Sequence, residues 1–257
     1  MTRSFVGHGD CVVAPTPSYI LYRSLAEIQA ARYEEVSYDA SWGLPDDFAQ
    51  RNARLTFLPN PNSPSGTMVT VERVRELASG LQPKFPLIVD EAYVDFADEH
   101  CAALVREFDN VIVTRSLSKS YSLAGIRFGY CVAQPLIIAG LIKVKDLYNC
   151  DAISIAAATA ALEDQEYFGH NIARVRATRA LLTEAMRQMG FQVPDSQANF
   201  VWCTHGPATA RRLYEQLKER RILVRYMNYP GHGDGLRISV GTDEEIDRLI
   251  DETKRLL

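Results

Sequence analysis

The middle of the chain contains three side chains that can act together in catalysis: Asp90, Lys119 and Arg127. A desolvated lysine amine loses its proton and can attack a carbonyl carbon. An arginine binds phosphate through two parallel hydrogen bonds, and Ser116 and Ser118 add hydroxyl donors on the same segment. An aspartate can keep a ring nitrogen protonated. The set therefore predicts a site for pyridoxal 5′-phosphate, which combines an aldehyde, a phosphate and a pyridine nitrogen.

Each of these residues also has an ordinary structural interpretation. Lys119 could be a solvated surface lysine, Arg127 half of an ion pair at a strand start, and Asp90 a helix N-cap. Tyr93, three residues after Asp90, could hydrogen-bond the cofactor's ring oxygen or be a core tyrosine with a satisfied hydroxyl. The joint occurrence of these residues favours the catalytic interpretation.

A stiff turn is predicted at residues 60–67, Asn-Pro-Asn-Ser-Pro-Ser-Gly-Thr. Two X-Pro bonds and a glycine restrict its backbone, and the Asn-Pro bond can be cis. The turn follows a predicted strand, and ligands of open α/β sheets bind beyond the carboxyl ends of strands. The turn, Asp90 and the Lys119 loop are therefore expected at one edge of a sheet, although a generic turn is the alternative.

Short apolar strands alternate with amphipathic helices up to residue 150, and this order predicts a mostly parallel sheet covered by helices on both faces. The rest of the chain predicts a smaller α+β unit, so we expect two domains, 1–150 and 151–257. Strands are predicted at 11–14, 33–38, 54–58, 86–90, 110–115, 128–133, 199–203, 222–226 and 236–240, with a glycine-rich loop at 228–235. Helices are predicted at 18–31, 70–81, 135–146, 153–163, 166–189, 207–220 and 243–256.

Composition excludes several classes of protein. The 257 residues are 47% hydrophobic, which is enough for a sizeable core. A net charge of −4 without a basic block argues against a nucleic-acid partner. Five scattered cysteines argue against a disulfide framework or metal site and predict a cytoplasmic location. No apolar run approaches the ~20 residues of a membrane span, and no signal peptide is expected.

Four ordered segments resemble the fold type I aminotransferases of class I/II, most of all their histidinol-phosphate branch. The segments are 60–67, 89–96 (Val-Asp-Glu-Ala-Tyr-Val-Asp-Phe), 115–130 (Arg-Ser-Leu-Ser-Lys-Ser-Tyr-Ser-Leu-Ala-Gly-Ile-Arg-Phe-Gly-Tyr) and 235–242 (Gly-Leu-Arg-Ile-Ser-Val-Gly-Thr). The resemblance covers essentially the whole chain. It implies a mostly parallel sheet of seven-stranded type between helices, a smaller C-terminal α+β domain, pyridoxal 5′-phosphate as cofactor and a homodimer.

The resemblance also implies a role for each site residue. Lys119 would be the Schiff-base lysine and proton shuttle, Asp90 the partner of the ring nitrogen, and Tyr93 the partner of the ring oxygen. Tyr19 would stack on the cofactor ring, although without the resemblance it would be a core residue of the first helix. The cofactor's phosphate would be held by Ser116, Ser118 and Arg127.

The substrate residues are implied in the same way. Arg237 would meet the substrate's anionic group, and Arg225 would be a second arginine suited to a phosphate, with a surface charge at a strand end as its alternative. Asn199 is a further substrate-site candidate. The family's cofactor-contacting asparagine is Ser63 here. Asn62 could replace it, although adjacent residues on an extended segment usually point in opposite directions.

The family pattern begins about 80 residues before the first match, with an N-terminal arm, a phosphate-binding turn at a helix N-terminus and a tyrosine offered across the dimer interface. The chain is therefore expected to be truncated or to have a misplaced start. The implied reaction transfers an amino group from histidinol phosphate to 2-oxoglutarate in histidine biosynthesis, giving imidazole acetol phosphate and glutamate. The alternatives are an aromatic amino-acid aminotransferase, a phosphothreonine-type decarboxylase and a truncated inactive scaffold.

Overall fold

The computed structural model describes residues 1–81, 85–206 and 209–257 and contains two sheets. In chain order the elements are α1 (Thr2–Phe5), β1 (Cys11–Thr16), α2 (Leu21–Ile28), β2 (Arg32–Ser37), β3 (Leu55–Pro59), α3 (Val71–Gly80), β4 (Leu87–Asp90), β5 (Val111–Ser116), β6 (Gly129–Val132), α4 (Pro135–Val144), α5 (Ala152–Glu163), α6 (Gln165–Gln188), β7 (Phe200–Thr204), α7 (Thr209–Glu219), β8 (Arg225–Tyr229), β9 (Gly233–Ser239) and α8 (Asp243–Leu256). Short 3-10 helices lie at Asp46–Gln50, Val94–Phe96, Ala102–Arg106 and Ala124–Ile126.

The larger sheet has the order β2-β1-β3-β4-β5-β6. Its first five strands are parallel, and β6 runs antiparallel to β5. The apolar sequences of β3 and β4 are buried on both faces, as expected for central parallel strands. Within the described ranges this sheet has six strands, one fewer than the seven-stranded type that the resemblance implies. β6 is its outer strand, and most of the residues of β6 are exposed.

Parallel pairing brings the predicted site segments to one edge of this sheet. Asp90, the last residue of β4, is the register partner of Pro59 at the end of β3 and of Thr114 near the end of β5. The turn that begins at Asn60 and the loop that carries Lys119 therefore leave the sheet beside Asp90, which confirms the prediction that the three meet at one edge.

The smaller sheet is antiparallel, with the order β7-β9-β8. Side chains alternate between its faces, so β7 and β9 bury Val201, Cys203, Leu236 and Ile238 in a cluster with residues of α6, α7 and α8. The opposite face carries Arg237 toward the larger sheet. The domain boundary at residue 150 stays a prediction.

Element boundaries differ from the predictions at several places. The helix predicted at 18–31 is shorter at both ends, and at its C-terminal end Ala30 takes a left-handed conformation (φ 52°) that does not continue a helix. The strand predicted at 222–226 begins three residues later, and the predicted loop 228–235 is largely a hairpin. Gly231 and Gly233, at φ 82° and 92°, close this hairpin in a conformation that favours glycine. Residues 207 and 208 of the helix predicted at 207–220 lie outside the described residues.

Candidate active site

A cavity of about 470 Å³ lies at the carboxyl edge of the larger sheet, where the smaller sheet approaches it. It brings together most of the predicted site residues: Tyr19, Ser63, Asp90, Tyr93, Ser116, Ser118, Lys119, Arg127 and Arg237. Tyr22, Thr114 and Arg115 also contribute to its wall. The predicted residues Asn62, Arg225 and Asn199 are not part of its lining.

The carboxylate of Asp90 is hydrogen-bonded on both oxygens. The Tyr22 hydroxyl donates to Oδ2 at 2.7 Å, and the Ala92 backbone N–H donates to Oδ1 at 3.2 Å. Burial raises the pKa of Asp90, and the Tyr22 hydrogen bond, the Ala92 hydrogen bond and the charge of Lys119 oppose this rise. Such a carboxylate, held in a partly desolvated site, is suited to a cationic ring N–H.

Lys119 and Tyr93 face each other across this cavity. The Lys119 Nζ lies 5.3 Å from the centroid of the Tyr93 ring, within cation–π range. The Tyr93 ring packs edge-on against Phe200 of the smaller sheet, with centroids 5.0 Å apart. The next residue along the chain, Ser120, donates its hydroxyl to Asp95. The Lys119 amine therefore lies against a ring that Phe200 supports from the smaller sheet.

Ser116, Ser118 and Arg127 provide donors on one wall of the cavity. The Ser118 backbone N–H donates to Ser116 Oγ at 3.1 Å, and the two hydroxyls lie 2.9 Å apart. Arg127 takes a left-handed conformation (φ 54°), and its Nη1 donates to the Ala124 carbonyl at 2.9 Å. Clustered hydroxyl and guanidinium donors suit a phosphate group.

Ser63 and Asn62 point to different places, as expected for neighbours on an extended segment. Ser63 lines the cavity and accepts a hydrogen bond from Arg237 Nη1 at 2.8 Å. Asn62 is 1% exposed, and its Nδ2 donates to the Pro17 carbonyl at 3.2 Å and to Ser65 Oγ at 2.9 Å. The structure therefore gives Asn62 a place inside the turn, away from the cavity. The Asn60–Pro61 bond is cis, as the sequence allows.

The two remaining substrate candidates, Arg225 and Asn199, do not line the cavity. Arg225 and Arg237 are cross-strand partners, so their side chains leave the same face of the smaller sheet. Arg225 is exposed. Asn199 lines an adjacent cavity of about 400 Å³ that Lys119 also borders.

Sequence reasoning did not single out Tyr22 or the buried Glu91–Arg115 pair. Glu91 is 1% exposed, and its Oε2 lies 2.8 Å from Nη2 of Arg115, which lines the cavity. A signal for Tyr22 is its spacing, since in the helix predicted at 18–31 a residue three positions after Tyr19 lies on the same side. A signal for Glu91 is its position after a strand, where a buried charge requires a partner.

The fold and the cavity define an enzyme of the aminotransferase type. The chain belongs to the aminotransferase class I and II family, whose model matches residues 2–252.

Individual relatives agree with this assignment. The chain is 53% identical to a histidinol-phosphate aminotransferase of Rhodopirellula baltica, over 96% of this chain and 68% of that protein. It is 47% identical to histidinol-phosphate aminotransferase 1 of a Nostoc species, over 96% of this chain and 69% of that protein. A crystal structure of the Sinorhizobium meliloti histidinol-phosphate aminotransferase with pyridoxal-5′-phosphate superposes with a TM-score of 0.90 at 28% identity, over 99% of this chain and 72% of that one.

Proposed function

We propose that the chain transfers the amino group of histidinol phosphate to 2-oxoglutarate with pyridoxal phosphate as cofactor. The observation that carries this proposal is that Asp90, Lys119, Arg127 and Arg237 line one cavity. The names of the relatives at 53% and 47% identity support the choice of substrate.

The chemistry of the lining residues fits pyridoxal phosphate. Asp90 would hold the ring nitrogen, Tyr93 the ring oxygen and Tyr19 the ring face, with the phosphate at Ser116, Ser118 and Arg127. When bound, the cofactor supplies a reactive aldehyde and a ring that accepts electrons from the substrate carbon. The buried Nε of Arg237, which has no hydrogen-bond partner among the residues described, adds an open donor for an anion.

The chain's own residues would position the substrate and move its protons. Lys119 Nζ would anchor the cofactor. As a free amine it would accept a proton from the substrate carbon as a base and later donate that proton as an acid. Arg237 would bind the substrate's anionic end through its planar fork, with Arg225 as a second cation for a phosphate dianion. The same arginines would bind the carboxylate of the second substrate.

Lys119→Ala tests the anchoring role. We expect purified wild-type protein with pyridoxal phosphate to show the visible absorbance of the lysine-bound cofactor, and Lys119→Ala to lose both this band and at least about 100-fold in turnover. Lys218→Ala, which removes an exposed lysine of α7, is the matched control and should keep both. A wild-type protein without the band, or a variant that keeps it, would be evidence against the proposal.

We also propose a homodimer. None of the ten residues of α4 is buried, although its sequence is apolar, and Leu136 and Ile142 are 85% and 59% exposed. An exposed apolar helix of this kind is typical of an interface, and a second copy is the most common partner.

We further propose a cytoplasmic location. Each of the five cysteines is free, which suits a reducing compartment. Within the described part of the chain, no helix has both the length and the hydropathy needed to cross a membrane.

A further inference from the structure

We propose that Tyr22 is the positioning residue for Asp90: its hydroxyl fixes the orientation of the carboxylate that is to meet the cofactor's ring nitrogen. This inference rests on the proposed function. Tyr22 was not among the predicted site residues, and its contact with Asp90 bridges 68 positions of the sequence.

The ring of Tyr22 is held from two sides. It is 3% exposed and stacks on Phe57 of β3, with centroids 4.4 Å apart and planes inclined by 10°. The Tyr19 ring packs edge-on against it at 5.7 Å. Because β3 and β4 are neighbours in the sheet, a ring fixed on Phe57 presents its hydroxyl to the end of β4, where Asp90 lies.

The hydrogen bond has a fixed direction. Burial and the neighbouring carboxylate raise the pKa of Tyr22 well above its usual value, so the phenol keeps its proton and always donates. The 2.7 Å bond from a neutral hydroxyl to a carboxylate is charge-assisted and favours the ionised acid.

The other groups that face Asp90 are few. They are the Ala92 N–H, the Thr114 hydroxyl of β5 and the Lys119 amine, while Tyr22 itself faces Tyr33 and Tyr38. Lys119 is the cation of this set, and its role as an amine requires it to lose its charge during the reaction. When Lys119 loses its charge, the uncharged donors remain, and among them Tyr22 bonds Oδ2 at 2.7 Å.

Removal of the hydroxyl alone should expose this role. Tyr22→Phe keeps the ring and its stacking on Phe57 but leaves Asp90 without this donor. The acid should then stay protonated to higher pH, and a protonated acid holds a cationic ring nitrogen poorly.

The primary test uses cofactor-free protein. The titration of the Asp90 carboxyl, followed by ¹³C NMR with Asp90→Asn for assignment, should move to higher pH in Tyr22→Phe. Tyr38→Phe is the matched control, because Tyr38 is 4% exposed and its hydroxyl has no hydrogen-bond partner among the residues described. The Asp90 titration should not move in this control.

The secondary test measures affinity for pyridoxal phosphate. We expect the dissociation constant of Tyr22→Phe to rise about tenfold at neutral pH, with a smaller difference at higher pH as Asp90 ionises. In the Asp90→Asn background the same substitution should add little, since the partner is already altered.

Two results would overturn the inference: an unchanged Asp90 titration in Tyr22→Phe, or an equal shift in Tyr38→Phe. Failure of the wild-type protein to bind pyridoxal phosphate would instead contradict the proposed function. The titration in cofactor-free protein decides the role of Tyr22 in either case.

Discussion

Asp90 carries its charge at a cost to folding. Burial raises its pKa, so the folded protein holds the Asp90 proton more tightly than the unfolded chain does. Between the ordinary pKa and the raised one, stability therefore falls as pH rises, and above that range the full cost remains. A buried charge that destabilises the folded protein and lies at a cavity is typical of a functional site, since a bound cation stabilises the charge.

Asp90→Asn should therefore separate stability from function. The cofactor-free variant should melt at the same temperature as wild type or higher at neutral pH, because the amide removes the charge and keeps an oxygen for Tyr22. The advantage should disappear below the ordinary pKa of Asp90, where the acid is neutral in both states.

Turnover should move in the opposite direction, with a loss of about 100-fold or more, because an amide cannot keep a ring nitrogen protonated. Thermal melts from acid to neutral pH and steady-state kinetics check the two effects, with the exposed Asp247→Asn as control. A clear drop in the melting temperature of cofactor-free Asp90→Asn would contradict this account of Asp90.

The types of the residues predicted most of the side chains that line the cavity, but not the residues that hold those side chains in position. Lys119, Asp90 and Arg127 were predictable because few side chains provide their chemistry, and their order in the chain is specific. Tyr22 was not predictable, since its role depends on stacking against Phe57, which only tertiary packing decides. The choice between Asn62 and Ser63 depended on the conformation of one turn.

At the scale of elements, the strands of the larger sheet determine the site. Parallel pairing of the apolar strands places the residues that follow their carboxyl ends next to one another. The alternation of strands and helices in the sequence was therefore enough to predict that the site lies at the carboxyl edge of the sheet. The hairpin of β8 and β9 was less predictable, because its glycines also suit an open loop. The apolar sequence of α4 would suit a buried helix, yet none of its ten residues is buried in the single chain.

The exposure of α4 predicts self-association. Wild-type protein should sediment with the mass of two chains, and Ile142→Glu should shift it toward one chain, because a charge in an apolar interface is costly. Leu181→Glu on α6, where the leucine is 66% exposed, is the matched control and should stay dimeric. Sedimentation velocity checks both, and a wild-type protein with the mass of one chain would contradict the proposal.

At the scale of the whole molecule, the candidate site exists only where the two units meet. Arg237 of the smaller sheet bonds Ser63 of the turn after β3, and Phe200 of β7 packs against Tyr93. Arg237 and Lys119 are therefore brought into one cavity by different parts of the chain. The order of strands and helices in the sequence predicted elements of both sheets, while the contacts that join the two sheets depend on side-chain packing.

A half-reaction followed by visible absorbance tests the proposed transamination most directly. Histidinol phosphate added to the cofactor-loaded protein should remove the band of the lysine-bound cofactor, and 2-oxoglutarate should restore it. Phenylalanine and phosphothreonine, substrates of the alternative activities, should act much more slowly. A band that does not respond to histidinol phosphate, or that responds faster to either other compound, would contradict the account.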